Sequence, residues 1–247
     1  MRPLLRLALI LCIFLTGLTS CAPDGAISLG SSGTCDNQLY PVKQDATWTY
    51  ASAGGPGGTF TYTDTVIDVH GGGFTVTSEF WDTTRTQEWS CQSDGLQALQ
   101  IGSASAAGIS TQGITAEFVA SDVTGVSLPR EITQGMQWQY GLKMQGTMAM
   151  PGEQQSPANG TYSVVMQEMG WESITVPAGT FNAVRLQANS SVDIMTDFQG
   201  IQVPVKYSGV SLLWYAPGVG FIKSVENGDF SGTAFSITTE LQSYNIP

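Results

Sequence analysis

Basic residues and histidine are scarce in this sequence. Its 247 residues include nine Lys and Arg against 20 Asp and Glu, and His70 is the single histidine. A surface this acidic repels phosphate backbones, so we expect no nucleic-acid partner. One histidine excludes sites that require two, and the sequence contains no G-x-S-x-G, P-loop or dinucleotide-binding motif. We therefore predict a protein that is not an enzyme and that uses no cofactor and no metal ion.

Charged residues of either sign are sparse, whereas hydrophobic residues are not. Charged side chains make up 12% of the chain and hydrophobic ones 42%. A disordered acidic segment has little apolar material to bury, whereas this composition is typical of a folded domain. The chain is therefore long enough and apolar enough to bury a core, in one large or two small domains.

The N-terminus carries the most specific signal in the sequence. Arg2 and Arg6 provide a basic start, and the apolar run at 7–15 is too short to span a bilayer comfortably. It has the proportions of a signal-peptide core, and the Leu-Thr-Ser-Cys string that ends at Cys21 resembles the lipobox of bacterial lipoproteins. That resemblance implies cleavage before Cys21 and acylation of its sulfur with palmitate-type chains, which anchor a protein in a membrane.

Cleavage at Cys21 divides the chain into three predicted segments. Residues 1–20 are the signal peptide, residues 21–36 are a flexible tether rich in Gly, Ser and Ala, and residues 37–247 are a single β domain. Loss of two arginines leaves seven basic against 20 acidic residues, a balance of −13. We predict that the domain lies in the bacterial cell envelope, on the extracytoplasmic side, with the membrane as its partner through the acyl chains on Cys21.

Only two cysteines remain for the domain, because Cys12 leaves with the signal peptide and Cys21 is acylated. In an oxidising compartment, the expected outcome is a disulfide between Cys35 and Cys91. The bond would close a loop of roughly 57 residues and stabilise the fold by about 4 kcal/mol through the entropy of the unfolded chain. Two free thiols or a metal pair are the alternatives, although the chain lacks the further ligands that a tetrahedral metal site needs.

Apolar and polar residues alternate along much of the domain. At 138–150, almost every second residue is apolar or aromatic, and the same period recurs at 184–194 and 235–241. Turns rich in Gly, Asn and Pro separate these runs, and no segment has a convincing helical period. We predict an all-β fold of long antiparallel strands in one strongly curved, half-barrel-like sheet, with little or no helix outside the signal peptide.

A short internal echo divides the domain into two halves. Pro41–Tyr50 and Pro129–Tyr140 each place a proline and a tight turn before an aromatic pair spaced by two residues. Both aromatics of a pair then point to the same face of a strand. The echo predicts two structurally similar halves, at 37–126 and 127–247, within one domain.

Three strings resemble motifs of a diffuse family of secreted bacterial lipoproteins, the TapB-like family. They are the Y-P-x-W-x-Y-type string in Leu39–Tyr50, the V-P-A-G-T-F string at Val176–Phe181 and the W-x-A-P-G-V-G string in Trp214–Lys223. The resemblance implies an antiparallel β fold akin to the half-barrel of lipoprotein carriers, and no established activity. The sequence departs from the family pattern at Asp45, where glycine is usual. From the residues alone, the second and third strings are tight turns.

Methionine is concentrated in one part of the domain. Apart from Met1, every methionine lies between Met136 and Met195. Flexible thioethers suit promiscuous apolar ligands, although the same residues would equally fill an irregular core. The predicted ligand-facing residues are Trp138, Tyr140, Met144, Met148 and Met150.

These features together predict a non-catalytic, lipid-anchored binding module for an apolar small molecule or an envelope protein. Two alternatives stay open. One is a purely structural lipoprotein of the envelope. The other is a carbohydrate-active enzyme, for which the acids near two tryptophans would be the first suspects. These residues are Asp82, Glu88 and Asp94 with Trp81 and Trp89.

Overall fold

A computed structural model describes residues 35–55, 58–80, 83–100, 115–149, 154–198 and 200–247. The predicted signal peptide, the acylated Cys21 and Met150 lie outside these residues, so what the sequence predicts for them stays a prediction. The domain boundaries, including the two similar halves, likewise stay predictions.

Thirteen β-strands make up the fold, and no helix occurs among the described residues. The strands are β1 (Thr47–Gly54), β2 (Phe60–His70), β3 (Gly73–Phe80), β4 (Thr83–Cys91), β5 (Gly95–Ala98), β6 (Thr115–Gly125), β7 (Leu128–Pro129), β8 (Gln137–Ala149), β9 (Ser156–Val176), β10 (Gly179–Phe198), β11 (Ile201–Ala216), β12 (Gly220–Phe230) and β13 (Thr233–Asn245). The alternating runs of the sequence fall on β8, β10 and β13, as predicted. Within the described part of the chain, no helix has the length and hydrophobicity to cross a membrane.

All thirteen strands form one antiparallel sheet, in the order β6-β8-β9-β10-β11-β12-β13-β1-β2-β3-β4-β5-β7. β6 and β7 stand at opposite edges of this order, yet only residues 126 and 127 separate them along the chain. Because so short a segment spans at most roughly 11 Å, the sheet curls until its edges meet there. The Gln97 side chain of β5 bridges the edges by donating a hydrogen bond to the Gly125 carbonyl of β6 at 2.7 Å. The prediction of an all-β, strongly curved half-barrel is confirmed.

The inside of the half-barrel is the hydrophobic core. On β8, Trp138, Tyr140, Leu142, Met144 and Met148 are at most 9% exposed, and most of the residues between them face solvent. Successive side chains of a strand point to opposite faces of the sheet, so the buried set belongs to the inner face. The alternation in the sequence therefore marks which residues of this strand point inward.

The two strands that begin with an aromatic pair share a turn geometry. Asp45 and Gly135 each lie three residues before the tryptophan of the pair, with φ angles of 64° and 71°. The indole nitrogens of Trp48 and Trp138 each donate a hydrogen bond to a backbone carbonyl. Aspartate tolerates the left-handed conformation better than most residues. Asp45 therefore adopts the left-handed conformation that Gly135 adopts before the second aromatic pair.

The segment at 35–38 is bonded to β4, to β7 and to the β11–β12 turn. Cys35 and Cys91 form the predicted disulfide, with Cα atoms 5.0 Å apart. The Asn37 side chain donates a hydrogen bond to the Pro129 carbonyl at 3.0 Å, and the Gly218 amide, in the β11–β12 turn, donates one to the same segment at 2.8 Å. These bonds fix the point at which the chain enters the half-barrel.

The V-P-A-G-T-F string forms the β9–β10 hairpin turn. β9 ends at Val176 and β10 begins at Gly179, so the turn consists of Pro177 and Ala178. The Ala178 amide donates a hydrogen bond to the Leu241 carbonyl of β13 at 3.1 Å. The hairpin tip therefore folds against a strand that is not its neighbour in the sheet.

Candidate functional site

A cavity of about 240 Å³ lies inside the half-barrel. Seven of the eight tyrosines of the chain line it, so we call it the tyrosine cavity. These tyrosines are Tyr40, Tyr50, Tyr62, Tyr140, Tyr162, Tyr207 and Tyr215. Trp48, Trp89 and Phe221 add further ring surface, and two acids, Asp64 and Glu226, add carboxyl groups. The lining is therefore aromatic and polar at once.

Three of the seven tyrosine hydroxyls are bonded to other protein groups. Those of Tyr50 and Tyr140 donate to backbone carbonyls, and that of Tyr207 donates to a carboxylate. Among the described residues, the other four hydroxyls find no hydrogen-bond partner, namely those of Tyr40, Tyr62, Tyr162 and Tyr215. None of these four hydroxyl oxygens is among the fully buried side-chain atoms that lack a partner, so each stays accessible to water or to a ligand.

Asp64 is the first of the two acids in the lining. It lies on β2 between Tyr62 and Val66, both buried, on the inward-facing side of the strand. Ser78 on β3 donates a hydrogen bond to its carboxyl group at 2.5 Å, and no other described residue does. Burial raises the pKa of Asp64 to about 7, and the bond from Ser78 only partly opposes that shift. One carboxyl oxygen is thus left to whatever occupies the cavity.

Glu226 on β12 is the second acid. Tyr207 donates a hydrogen bond to it at 2.6 Å, and Ser211 lies directly opposite it in the pairing of β11 with β12. Burial raises the pKa of Glu226, while hydrogen bonds from Tyr207 and Ser211 oppose the shift. Glu226 is therefore better supplied with donors than Asp64.

The phenols of the cavity fall into two groups, one near each acid. Burial is the main cause that raises the pKa values of the phenols, and the charge of the nearer acid adds to it. Tyr40, Tyr50 and Tyr62 form the group near Asp64, and Tyr162 and Tyr207 form the group near Glu226. Tyr215 interacts with members of both groups, and burial raises its own pKa to about 12. All these phenols therefore stay protonated at neutral pH.

No basic side chain lines the cavity. All seven Lys and Arg residues that follow Cys21 belong to the described part of the chain, and none is among the lining residues. Four of them pair with acids outside the cavity, at 2.7 to 3.3 Å. Arg85 of β4 shares a row of the sheet with Ser78 and Asp64 but forms no ion pair with Asp64. The two carboxyl groups therefore have no cationic partner in the protein.

The residues predicted from the methionine pattern lie in different places. Tyr140 lines the cavity. Trp138, two residues earlier on β8, is buried but is not among the lining residues. Met144 and Met148 are 2% and 1% exposed and belong to the packed core. Met150 lies outside the described residues. The role of all five as ligand-facing residues stays a prediction.

The acids first suspected of sugar chemistry do not form a pair in the described structure. Glu88 accepts hydrogen bonds from Thr75 at 2.9 and 3.1 Å, and Asp94 is exposed in the β4–β5 turn. Trp89 lines the cavity, whereas Trp81 and Asp82 lie outside the described residues. His70 is exposed at the tip of the β2–β3 hairpin. Among the residues that the structure describes, no cluster of His, Cys, Asp and Glu could hold a metal ion.

Sequence reasoning missed the two acids and most of the tyrosines. Asp64 had a usable signal, because it stands where an apolar residue is expected between Phe60, Tyr62 and Val66 on β2. A carboxyl group on the inward side of an alternating strand marks either a hydrogen-bonded core residue or a site. The tyrosines had no such signal, since they come from five strands and the segment before β1. Only the curl of the sheet brings them together.

Comparison with known proteins places the fold. The DUF3108-like family model matches residues 85–240. A protein from Bacteroides fragilis, described as exported and with a YmcC-like fold, superposes with a TM-score of 0.52 at 14% identity, covering 85% of this chain and 100% of its own. A protein from Parabacteroides distasonis described as a lipoprotein gives 0.50 at 15% identity, with the same coverage. At these identities the likeness establishes the fold. No curated protein matches the chain.

Proposed function

The chain belongs to the DUF3108-like family, and we propose that it is a lipid-anchored, extracytoplasmic lipoprotein that binds a small ligand inside its half-barrel. The observation that carries the proposal is the tyrosine cavity, with its four unpartnered phenol hydroxyls. Binding without catalysis is part of the proposal, and it rests on the absence of a recognised catalytic motif from the sequence. The TapB-like resemblance stays a prediction beside the family match.

The anchor rests on the sequence and on the similar structures. Cys21 stands in a lipobox-like string, and two proteins of the same fold are described as exported or as a lipoprotein. The disulfide from Cys35 to Cys91 then joins the end of the tether to β4 of the half-barrel. In this arrangement the acyl chains hold the protein in the envelope and leave the cavity to the ligand.

The volume of the cavity limits the size of the ligand that it can hold. A volume of about 240 Å³ corresponds to roughly eight water molecules. It is smaller than the roughly 300–1,000 Å³ of sites for drug-sized ligands, so the ligand is small. The sequence predicts an apolar ligand. Because hydroxyl and carboxyl groups also line the cavity, we propose that the ligand carries polar groups as well.

Native mass spectrometry tests this function directly. The protein is produced from the full chain, extracted from membranes in mild detergent and sprayed without denaturation. We expect a small molecule to accompany the wild type and to be absent from Ala188→Phe, because Ala188 lines the cavity and a benzyl group there fills it. Ala53→Phe is the matched control, since Ala53 is exposed on β1. An empty wild type, or equal occupancy in both variants, would contradict the proposal.

Membrane fractionation tests the anchor separately. We expect Cys21→Ser to abolish acylation and to release the protein from the membrane fraction, whereas wild type and Cys12→Ser remain there. A Cys21→Ser protein that stays membrane-bound with an unchanged mass would show that Cys21 is not the acylated residue.

A further inference from the structure

We propose that the ligand of the tyrosine cavity is an organic cation whose ammonium group is held by the Asp64 carboxylate among tyrosine rings. The inference rests on the proposed function, because it names the class of small molecule that the cavity binds. Charge, hydrogen bonding and ring geometry support it independently.

Charge is the first argument. Two acids line the cavity, and every Lys and Arg of the domain lies elsewhere. Burial of an ionised group without a partner is costly, so a cation is the ligand that most relieves this site. An anionic ligand would meet two carboxyl groups and no basic group. A neutral ligand would leave the carboxyl groups as they are.

Hydrogen bonding distinguishes Asp64 from Glu226 as the primary contact. Asp64 receives one bond from the described residues, from Ser78, whereas Glu226 receives bonds from Tyr207 and Ser211. An ammonium group provides up to three N–H donors, and these match the acceptor capacity that Asp64 has left. Glu226 adds negative charge to the same cavity and provides a second contact for a diamine.

Three tyrosines lie near Asp64, since burial and then the charge of Asp64 raise the pKa values of Tyr40, Tyr50 and Tyr62. These tyrosines and Trp48 all line the cavity and present ring surface to it. A cation within about 6 Å of such ring centroids gains roughly 0.5–2 kcal/mol from each favourable face. Desolvated aromatic cages of this kind recognise quaternary ammonium and amine groups.

Arg85 is the protein cation that could compete for Asp64. It lies two strands away in the same row of the sheet, with Ser78 between them. Its Nη1 atom is buried and has no hydrogen-bond partner, and the residue does not line the cavity. Arg85 therefore leaves the position beside Asp64 to a ligand.

Calorimetric titration of the detergent-solubilised full chain tests the inference. The probes are choline, putrescine and tyramine, and 3,3-dimethylbutan-1-ol serves as the neutral counterpart of choline. We expect at least one amine to bind, and the best of them to bind about tenfold or more tightly than the alcohol. Asp64→Asn should weaken the binding of that amine by about tenfold or more. Asp68 is an exposed acid on the same strand, so Asp68→Asn should leave the affinity unchanged.

A pH series on the wild type keeps the inference testable if Asp64→Asn does not fold. The titratable groups that interact with Asp64 are Tyr40, Tyr50 and Tyr62, which stay neutral. Glu226, in the same cavity, loses its charge in the same direction as the pH falls. Amine binding should therefore weaken as the pH falls from 8 to 5, and alcohol binding should not change.

The outcomes distinguish this inference from the proposed function on which it rests. Equal binding of amine and alcohol would show that the ligand is not recognised as a cation, and so would amine binding that survives Asp64→Asn and low pH. Either result leaves the cavity as a ligand site. If none of the three amines binds, the inference of a cationic ligand is also wrong, whatever native mass spectrometry finds. An empty wild type in native mass spectrometry, by contrast, overturns the function itself.

Discussion

Two strands of the inner surface, β8 and β2, have the same alternation of residues but different surroundings. On β8, Leu142, Met144 and Met148 form a methionine wall that is at most 4% exposed. On β2, Tyr62 and Asp64 alternate with the same period and border a cavity of about 240 Å³. A period of two therefore predicts which side chains point inward, but not whether the space opposite them is filled.

Side-chain chemistry explains the difference. Methionine is unbranched and flexible, so it adapts to gaps and fills them. Tyrosine is rigid, and its hydroxyl requires a partner when it is buried. Rings that meet around several hydroxyl and carboxyl groups cannot collapse without leaving those groups unbonded. The tyrosine cavity is therefore a space that polar groups hold open.

The largest expected effect comes from breaking the methionine wall. Met148→Ala should lower the free energy of unfolding by about 2–5 kcal/mol, because Met148 is 1% exposed and its removal leaves a void. Chemical denaturation measures this value. Met195→Ala is the control, since Met195 is 38% exposed, and it should change stability by less than about 0.5 kcal/mol. Equal effects of the two variants would show that the methionine wall is loosely packed.

The next effect depends on pH and comes from the cavity. The folded protein raises the pKa of Asp64 from 3.8 to about 7, so between these pH values it holds a proton that the unfolded chain releases. The free energy of unfolding therefore falls as the pH rises through this window, by roughly 2–4 kcal/mol for this group.

Asp64→Asn removes that titration and sharpens the comparison. We expect the variant and the wild type to differ little near pH 4 and the variant to be more stable at pH 8. Thermal denaturation across this range measures the difference, with Asp68→Asn as the control. A difference that is independent of pH would place Asp64 in contact with water rather than inside the cavity.

A smaller effect distinguishes the packed core from the tyrosine cavity. Ala183 is 0% exposed and does not line the cavity, whereas Ala188 does. Ala183→Leu should cost about 1–3 kcal/mol by overpacking. Ala188→Leu should cost less than about 1 kcal/mol, because the new side chain enters open space. Urea unfolding of both variants compares them, and an equal cost would mean that the cavity has no room for three added carbons.

The smallest effect concerns single hydroxyl groups. Tyr140→Phe removes a hydroxyl that donates to the Ala98 carbonyl and should cost about 1 kcal/mol. Tyr62→Phe removes a hydroxyl with no partner among the described residues, and stability should stay within about 0.5 kcal/mol. Differential scanning calorimetry of the two variants gives the ranking. The reverse ranking would assign a protein partner to the Tyr62 hydroxyl.

Much of the fold follows from local pattern. The alternating run at 138–150 corresponds to β8 within one residue at each end, and the proline-glycine string after Val176 is a hairpin turn. The disulfide follows from counting cysteines once Cys12 and Cys21 are set aside. Such features depend on neighbours in sequence, which is why the sequence alone predicts them.

The candidate site depends on closure of the sheet. Ser127, between β6 and β7, and Tyr207 on β11 are 80 positions apart in sequence, yet both line the cavity because the sheet edges meet. Period-two analysis predicts the inner face of each strand but not which strands face each other across the interior. Among the residues of the site, Asp64 is the one that the sequence alone could have indicated, because it is an acid among the inward-facing Phe60, Tyr62 and Val66.

The central claim is that the tyrosine cavity is a ligand site rather than a packing defect. Structure determination of the protein produced from the full chain, with the best-binding amine added, tests this claim most directly. We expect ordered ligand density inside the cavity, with the amine nitrogen within about 4 Å of the Asp64 carboxylate. A cavity that holds only water, or one that Tyr62 and Tyr215 have closed by rotating inward, would contradict it.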